Sequence, residues 1–399
     1  MTSERQPRSR ARAVALVVLD SVGIGGAPDA VEFGDEGAAT LQHVAEAVGG
    51  ITLPHLGALG LGTIADVAGV EPVGSPEGAV GTMIERSPGK DTTTGHWEIA
   101  GVILERAFPT YPDGFPGAVI DRFEAAIGVG TLGNRPASGT AIIAELGEEH
   151  MSTGRPIVYT SGDSVFQIAA HVDVVPPARL YDMCGVAREL LRGEHEVGRV
   201  IARPFRGRPG AFERTPERHD FSVEPPGDTV LDAISRAGLE VRGVGKISDI
   251  FAHRGLTSSR PTRSNEEGIG AVAEELSTIT EGLVFANLVD FDQSFGHRND
   301  PAGYARALEA FDGRLPEIRS ALQDDDVLIV TADHGNDPTT ASTDHSRERV
   351  PLLVTGAPVR PGVDLGRRDT FGDCGATVAE LLGVSSAAAG TSFAPELLG

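Results

Sequence analysis

Three short stretches of this chain gather carboxylates, imidazoles and hydroxyls at spacings that can do chemistry. "DFDQSFGH" sets Asp292 five residues before His297, and "TADHGNDPTTASTDHSRE" holds Asp333 beside His334 and, eleven residues on, Asp344 beside His345. Carboxylates mixed with imidazoles, with no cysteine among them, suit Mn²⁺, Zn²⁺ or Mg²⁺ rather than a thiolate-seeking metal. The groups suffice for two ions, and an ion pair can clamp a transferring phosphoryl group and lower the pKa of an attacking hydroxyl. Hydroxyls stand ready in "GKDTTTGHWE" (89–98), where Thr92, Thr93 and Thr94 follow a Lys-Asp pair. A threonine is a poor nucleophile unless a base or a metal takes its proton. At a loop entering a helix, neighbouring N–H groups also hold a phosphate. A plainer use is capping a helix that begins near "GHWEIAG". Spacing alone leaves open which hydroxyl does which.

The elements that must position these groups can be read from apolar runs. "AVALVVLD" ends at Asp20, "LVFANLVDFD" at Asp292, and "DVLIVTADHG" runs into Asp333 and His334. Each run is too continuous for a half-exposed strand and fits a buried parallel one. Ligands of open α/β sheets bind beyond the carboxyl ends of the strands, so three acid-ended strands predict one site built from distant parts of the chain. A lone acid there often just caps a helix; three together, one beside a histidine, favour a site. Helices are expected over "TVLDAISRAG" with its glycine stop, "EEGIGAVAEELST", "DPAGYARALEAFDGRLPEIRSAL" and "GATVAELLGV", with a strand at "LEVRGVG".

Two Pro/Gly-rich stretches, "FPTYPDGFPG" and "VEPPGDT", punctuate the chain. They predict a discontinuous core, 1–107 and 226–399, interrupted by a second domain over 108–225. That insert carries Arg199, Arg203, Arg206, Arg208, Arg214 and Arg218 with few acids between them, a pattern suited to an anion, with Arg–phosphate forks the obvious use.

Bulk properties narrow the classes. The 399 residues are 40% hydrophobic and 23% charged, as expected of a soluble globular protein of two or three domains. A net charge of −23 argues against nucleic acid or anionic lipid as a partner. Cys184 and Cys374 are far apart and fit ordinary packing in a reducing compartment. The N-terminal arginines and the seven-residue apolar run from Ala13 to Leu19 imitate a secretory signal, but the run stops at Asp20. A disordered basic leader feeding a strand is the expectation, with a cytoplasmic location and no obligate protein partner. Of 34 basic residues only Lys90 and Lys246 are lysines, and both follow glycine; an ammonium is a point charge and fits other anion geometries than a guanidinium.

Taken together, "LDSVGIGGAPDA", "GKDTTTGHWE", "YTSGDSVFQIAAH", "GRVIARPF", "RTPERHDF", "GKISDI", "NLVDFDQSFGHRNDP" and "TADHGNDPTTASTDHSRE" closely resemble the phosphopentomutase family of the alkaline phosphatase superfamily. The resemblance runs from about Arg12 to the C-terminus. It implies an α/β, alkaline-phosphatase-like core with a mainly parallel sheet flanked by helices, plus an inserted α+β cap domain. It makes Thr92 the nucleophile. Asp292, His297 and His345 would ligate one metal, and Asp20, Asp333 and His334 the other, both typically Mn²⁺. Ser161, Asp163, Arg203, Arg214 and Lys246 would touch the substrate. The implied reaction interconverts (deoxy)ribose 1-phosphate and (deoxy)ribose 5-phosphate, in nucleoside and pentose phosphate metabolism. It proceeds through a phosphothreonine and a sugar bisphosphate, primed by an activator such as glucose 1,6-bisphosphate. A metal-dependent phosphatase or phosphodiesterase of the same superfamily is the competing enzyme, and a non-catalytic metal or sugar binder the competing class.

Overall fold

The computed structural model describes residues 10–162 and 164–398. The leader through residue 9 and the candidate contact Asp163 lie outside the described residues. The chain divides into two compact units, one formed by Met1–Arg106 with Pro225–Gly399 and the other by Ala107–Glu224.

The first unit is built on an eight-stranded sheet. Its strands run in the order Ser258–Arg260, Glu240–Val244, Gly282–Leu288, Ala13–Leu19, Val327–Thr331, Val350–Thr355, Ala79–Met83 and Val363–Arg368. Only the two pairings of Val350–Thr355 are antiparallel; all others are parallel. Every residue of Ala13–Leu19 and Gly282–Leu288 is buried, so both faces of the sheet are covered. This is why the two sequences are unbroken apolar runs rather than alternating ones. Helices Thr40–Val48, Asn265–Thr278 and Pro301–Ala321 pack as one group, and Thr92–Ile99, Val230–Arg236 and Gly372–Leu381 as another. The expected α/β architecture, a mainly parallel sheet flanked by helices, is the one found. Arg12, at the edge of the supposed leader, belongs to this core: its guanidinium pairs with buried Asp326 at 2.6 Å.

The second unit has its own six-stranded sheet: Leu132–Pro136, Ile157–Thr160, Val165–His171, Arg199–Arg208 and Ala211–Arg214 in that order, with His219–Ser222 also pairing Arg199–Arg208. Phe123 and Leu180, from helices Gly117–Ile127 and Pro177–Leu190, pack with Phe166 and Val200 in one apolar cluster. Ile142 and Ile143 of helix Gly139–Thr153 pack with Tyr159 and Phe205 in a second.

Candidate active site

Three neighbouring parallel strands of the first unit end side by side. Leu19 is level with Leu288, and Val18 with Thr331. Asp20, the 289–292 turn and Asp333 therefore emerge along one edge of the sheet. Asp20 is 1% exposed and Asp333 is fully buried. Ser21 turns the chain away with a left-handed φ of 72°, a conformation that costs a non-glycine residue about 1–3 kcal/mol. The turn lets Ser21 N–H donate to Asp333 Oδ1 at 3.1 Å, while its hydroxyl meets Tyr304 Oη at 3.1 Å. Asp290, by contrast, takes the helix role an acid can have at a strand end: its Oδ2 accepts from Asn265 N–H at 2.7 Å.

The imidazoles converge on these carboxylates. His334 Nε2 lies 3.5 Å from Asp20 Oδ1 and 3.4 Å from Asp333 Oδ2. His297 Nε2 and His345 Nε2 lie 3.1 and 3.4 Å from the two oxygens of Asp292. The His334 and His345 rings are 4.0 Å apart, and His345 and His297 4.8 Å. Nδ1 of His334 meets the Gly335 carbonyl at 3.0 Å and Nδ1 of His297 meets the Thr343 carbonyl at 2.6 Å. A carbonyl can only accept, so each Nδ1 carries a proton, and it is Nε2 of each ring that faces the acids.

Carboxylates and imidazole nitrogens gathered this closely can hold a cation. Ligand atoms of Asp292, His297 and His345 all lie within 4.8 Å of one another, and so do those of Asp20, Asp292 and His334. Asp20 Oδ1 is buried with no hydrogen bond among the described residues. Burial, then the charges of Asp333 and Asp292, push Asp20 up to about 8, against a small opposing pull from Lys246. Asp292 behaves differently: burial raises it, but His345 and His297 hold it well below the usual carboxylate range. Burial pulls His334 down, favouring the neutral, ligating form. An all-oxygen-and-nitrogen donor set of this kind fits two divalent ions of the Mn²⁺ or Zn²⁺ type.

The threonine question resolves locally. The helix Thr92–Ile99 begins at Thr92, earlier than "GHWEIAG", and its cap is Asp91 rather than a threonine. Asp91 accepts from the Thr94 N–H at 3.1 Å and the Thr94 hydroxyl at 2.6 Å, so Thr94 is committed to the cap. Thr92 Oγ1 instead meets His334 Nε2 at 3.2 Å. Gly95 makes this approach possible, because a Cβ there would sit 2.4 Å from the Asp333 carbonyl oxygen.

Several supporting groups escaped the sequence reading. Asn287 donates to Asp20 Oδ2 at 2.9 Å, and its amide nitrogen is 3.2 Å from His96 Nε2. His96 Nδ1 sits 3.0 Å from Asp333 Oδ2; burial lowers its pKa, but Asp333, Asp20 and the Thr92 carbonyl together outweigh that and the net shift is upwards. Asn336 donates to Asp292 Oδ1 at 2.7 Å. The signal for Asn287 was present: a lone amide inside "LVFANLV" has no packing reason to interrupt a buried run. Asp344, by contrast, is half-exposed and its carboxylate accepts from the His345 N–H. Lys90 is held by Asp35 at 3.0 Å, whereas Lys246 begins the short helix Ile247–Ile250 and its charge is felt by Asp20.

Ser161, Arg203 and Arg214 belong to the second unit. Ser161 follows the strand Ile157–Thr160. The arginine run proves uneven: Arg206 pairs with Glu213, and Arg199 and Arg218 with Asp220. Arg203 Nε donates to Gln167 at 3.1 Å, and among the described residues neither Arg203 nor Arg214 has an acid within ion-pair distance. Burial, with Arg218 and Arg214 nearby, pulls Arg203 below its ordinary value. The buried Tyr159 hydroxyl, close to these arginines, has no hydrogen-bond partner among the described residues.

Comparison with known proteins gives this geometry its class. Residues 12–386 match the model of the metalloenzyme superfamily. The chain is 60% identical over 371 residues to the phosphopentomutase of Carboxydothermus hydrogenoformans, covering 93% of this chain and 96% of that protein. It is 58% identical over 384 residues to that of Caldanaerobacter subterraneus subsp. tengcongensis (96% and 98% covered), and 56% identical over 383 residues to that of Desulfitobacterium hafniense (96% and 99% covered). The chain therefore belongs to the phosphopentomutase family. It is a metal-binding isomerase, a phosphomutase acting on sugar phosphates. Among the described residues no helix is long and apolar enough to cross a membrane.

Proposed function

We propose that this enzyme interconverts (deoxy)ribose 1-phosphate and (deoxy)ribose 5-phosphate in the cytoplasm by phosphoryl shuttling through Thr92. The observation that carries the reading is Thr92 Oγ1 at 3.2 Å from His334 Nε2, at a helix start beside the Asp20–Asp333–His334 group. Two Mn²⁺ ions, held by Asp292, His297 and His345 and by Asp20, Asp333 and His334, would supply charge neutralisation and acidify the attacking hydroxyl. The N–H groups of Thr92 and Thr93, at the start of that helix, would hold phosphate oxygens.

A phosphorylated Thr92 passes its phosphoryl group to the free hydroxyl of the pentose phosphate: the Oγ–P bond breaks as the new O–P bond forms, and the sugar becomes a 1,5-bisphosphate. The bisphosphate reorients, and Thr92 Oγ takes back the phosphoryl group from the other end. One turnover thus returns the phosphothreonine, which an activator such as glucose 1,6-bisphosphate must first install. In the inserted unit, Arg203 and Arg214 carry positive charge with no acid among the described residues within ion-pair distance, and are assigned to a substrate phosphate, with Ser161, Asp163 and Lys246 as further substrate contacts.

An assay following ribose 1-phosphate isomerisation with Mn²⁺, with and without the bisphosphate, tests this reading. Activator-dependent ribose 5-phosphate formation without phosphate release is expected. Release of inorganic phosphate without isomerisation would identify a phosphatase instead.

A further inference from the structure

The segment leading into Thr92, residues 85–89, is gripped by one buried cation and one buried anion. Arg347, 2% exposed, donates from Nη1 to the carbonyls of Ser87 and Gly89 at 2.7 and 2.6 Å and to Glu85 Oε2 at 2.8 Å. Its Nη2 reaches the Glu85 carbonyl at 2.6 Å and Asp29 at 2.9 Å. Glu98, fully buried, takes the opposite groups of the same segment: Arg86 N–H at 2.8 Å, Ser87 N–H at 2.6 Å and the Ser87 hydroxyl at 2.5 Å. It also accepts from Thr370 Oγ1 and Phe371 N–H, at 2.7 and 3.0 Å. Carbonyls face the guanidinium and N–H groups face the carboxylate, so the segment has little freedom to slide.

Both grips lead back to the site. Glu98 rides on the helix that Thr92 starts. Arg347 is two residues beyond His345. Asp35 ties the same strands of chain again, accepting Lys90 Nζ at 3.0 Å and the Arg347 N–H at 2.8 Å. Burying an arginine and a glutamate is costly unless their hydrogen-bonding capacity is filled, and here backbone groups fill it together with Asp29 and Glu85 for the arginine and the Ser87 and Thr370 hydroxyls for the glutamate.

We infer that Arg347 and Glu98 are positioning residues for the phosphoryl transfer, fixing Thr92 Oγ1 against the His334 side of the cluster without touching substrate. This rests on Thr92 being the nucleophile. A misplacement of about 1 Å costs roughly a hundredfold in rate, so the effect should appear in kcat.

The test measures, in Arg347→Lys, Glu98→Gln and Ser87→Ala, the rate of Thr92 phosphorylation by glucose 1,6-bisphosphate, KM for ribose 5-phosphate and bound metal per chain. Arg347→Lys keeps the charge and loses the fork; it and Glu98→Gln should each slow phosphorylation by about tenfold or more, with KM and metal content within about twofold of the parent. Ser87→Ala, which removes a single donor, should show a smaller loss of the same kind. If Arg347→Lys does not accumulate as folded protein, the other two variants decide. Parent-like phosphorylation in the folded variants, or a loss that merely tracks missing metal, overturns the inference. Thr92→Ala separates the two readings: persisting phosphoenzyme there removes the nucleophile assignment itself, whereas its absence beside parent-like Arg347→Lys removes only the positioning role.

Discussion

The carboxylate cluster of the first unit and the arginine group of the second hold opposite charge by opposite means. Asp20, Asp333 and His334 are no more than 1% exposed; they sit at strand ends, where register fixes each Cα and backbone groups, Asn287 and His96 trim the orientation. The arginines lie along one strand, its hairpin partner and the loop that follows, and their exposure ranges from the half-buried Arg203 to side-chain values of 42% at Arg218 and 66% at Arg206. The first arrangement suits ions that must be held at set distances. The second suits an anion that arrives, turns and leaves, because long side chains adjust and water screens what they do not contact. Charge is buried where chemistry needs rigidity and left adaptable where a ligand must move.

The comparison predicts a division of kinetic effects. Thr92→Ala should abolish phosphoenzyme and lower turnover by about a thousandfold or more, since it is the Thr92 hydroxyl that meets His334; Thr93→Ala should leave both largely intact, and equal losses would reject the assignment. Asp333→Ala should lower metal content and rate together, measurable by elemental analysis of the purified protein, and full metal loading in that variant would take Asp333 out of the ligand set. Asn287→Ala removes a donor to Asp20 and should weaken metal affinity by about 10- to 100-fold, read from chelator competition. Arg203→Gln should leave metal content alone and raise KM by about tenfold, or divert product towards hydrolysis. A change in metal content from that last substitution would break the division of labour between the two units.

Much of the first unit could be read in advance because its physics is local. A fully buried strand has to be an unbroken apolar run, and an acid at the end of such a run has few uses. "AVALVVLD" and "DVLIVTADHG" therefore announced both the strands and their ends. The arginine run was harder. Arg206, Arg199 and Arg203 look alike in one dimension, and only the antiparallel register, with Glu213 opposite Arg206 and Asp220 opposite Ile201, decides which are matched by acids and which are not. Arg347 and Glu98 were silent for a similar reason: half of their bonds go to backbone atoms, and no residue type marks a carbonyl that will meet a guanidinium. The cap at Asp91 was misread because three threonines compete with an aspartate for the same turn.

The strand order has a consequence for how the chain is made. Ala13–Leu19 lies in the middle of its sheet, between Gly282–Leu288 and Val327–Thr331. That strand must wait for partners that emerge from the ribosome more than 260 residues after it. The strands of the other unit, from Leu132 to Ser222, all find their neighbours within that span and can pair while synthesis continues. The inserted unit can thus complete its sheet before Ala13–Leu19 meets its partners, and no product truncated short of His345 can assemble the full set of candidate metal ligands.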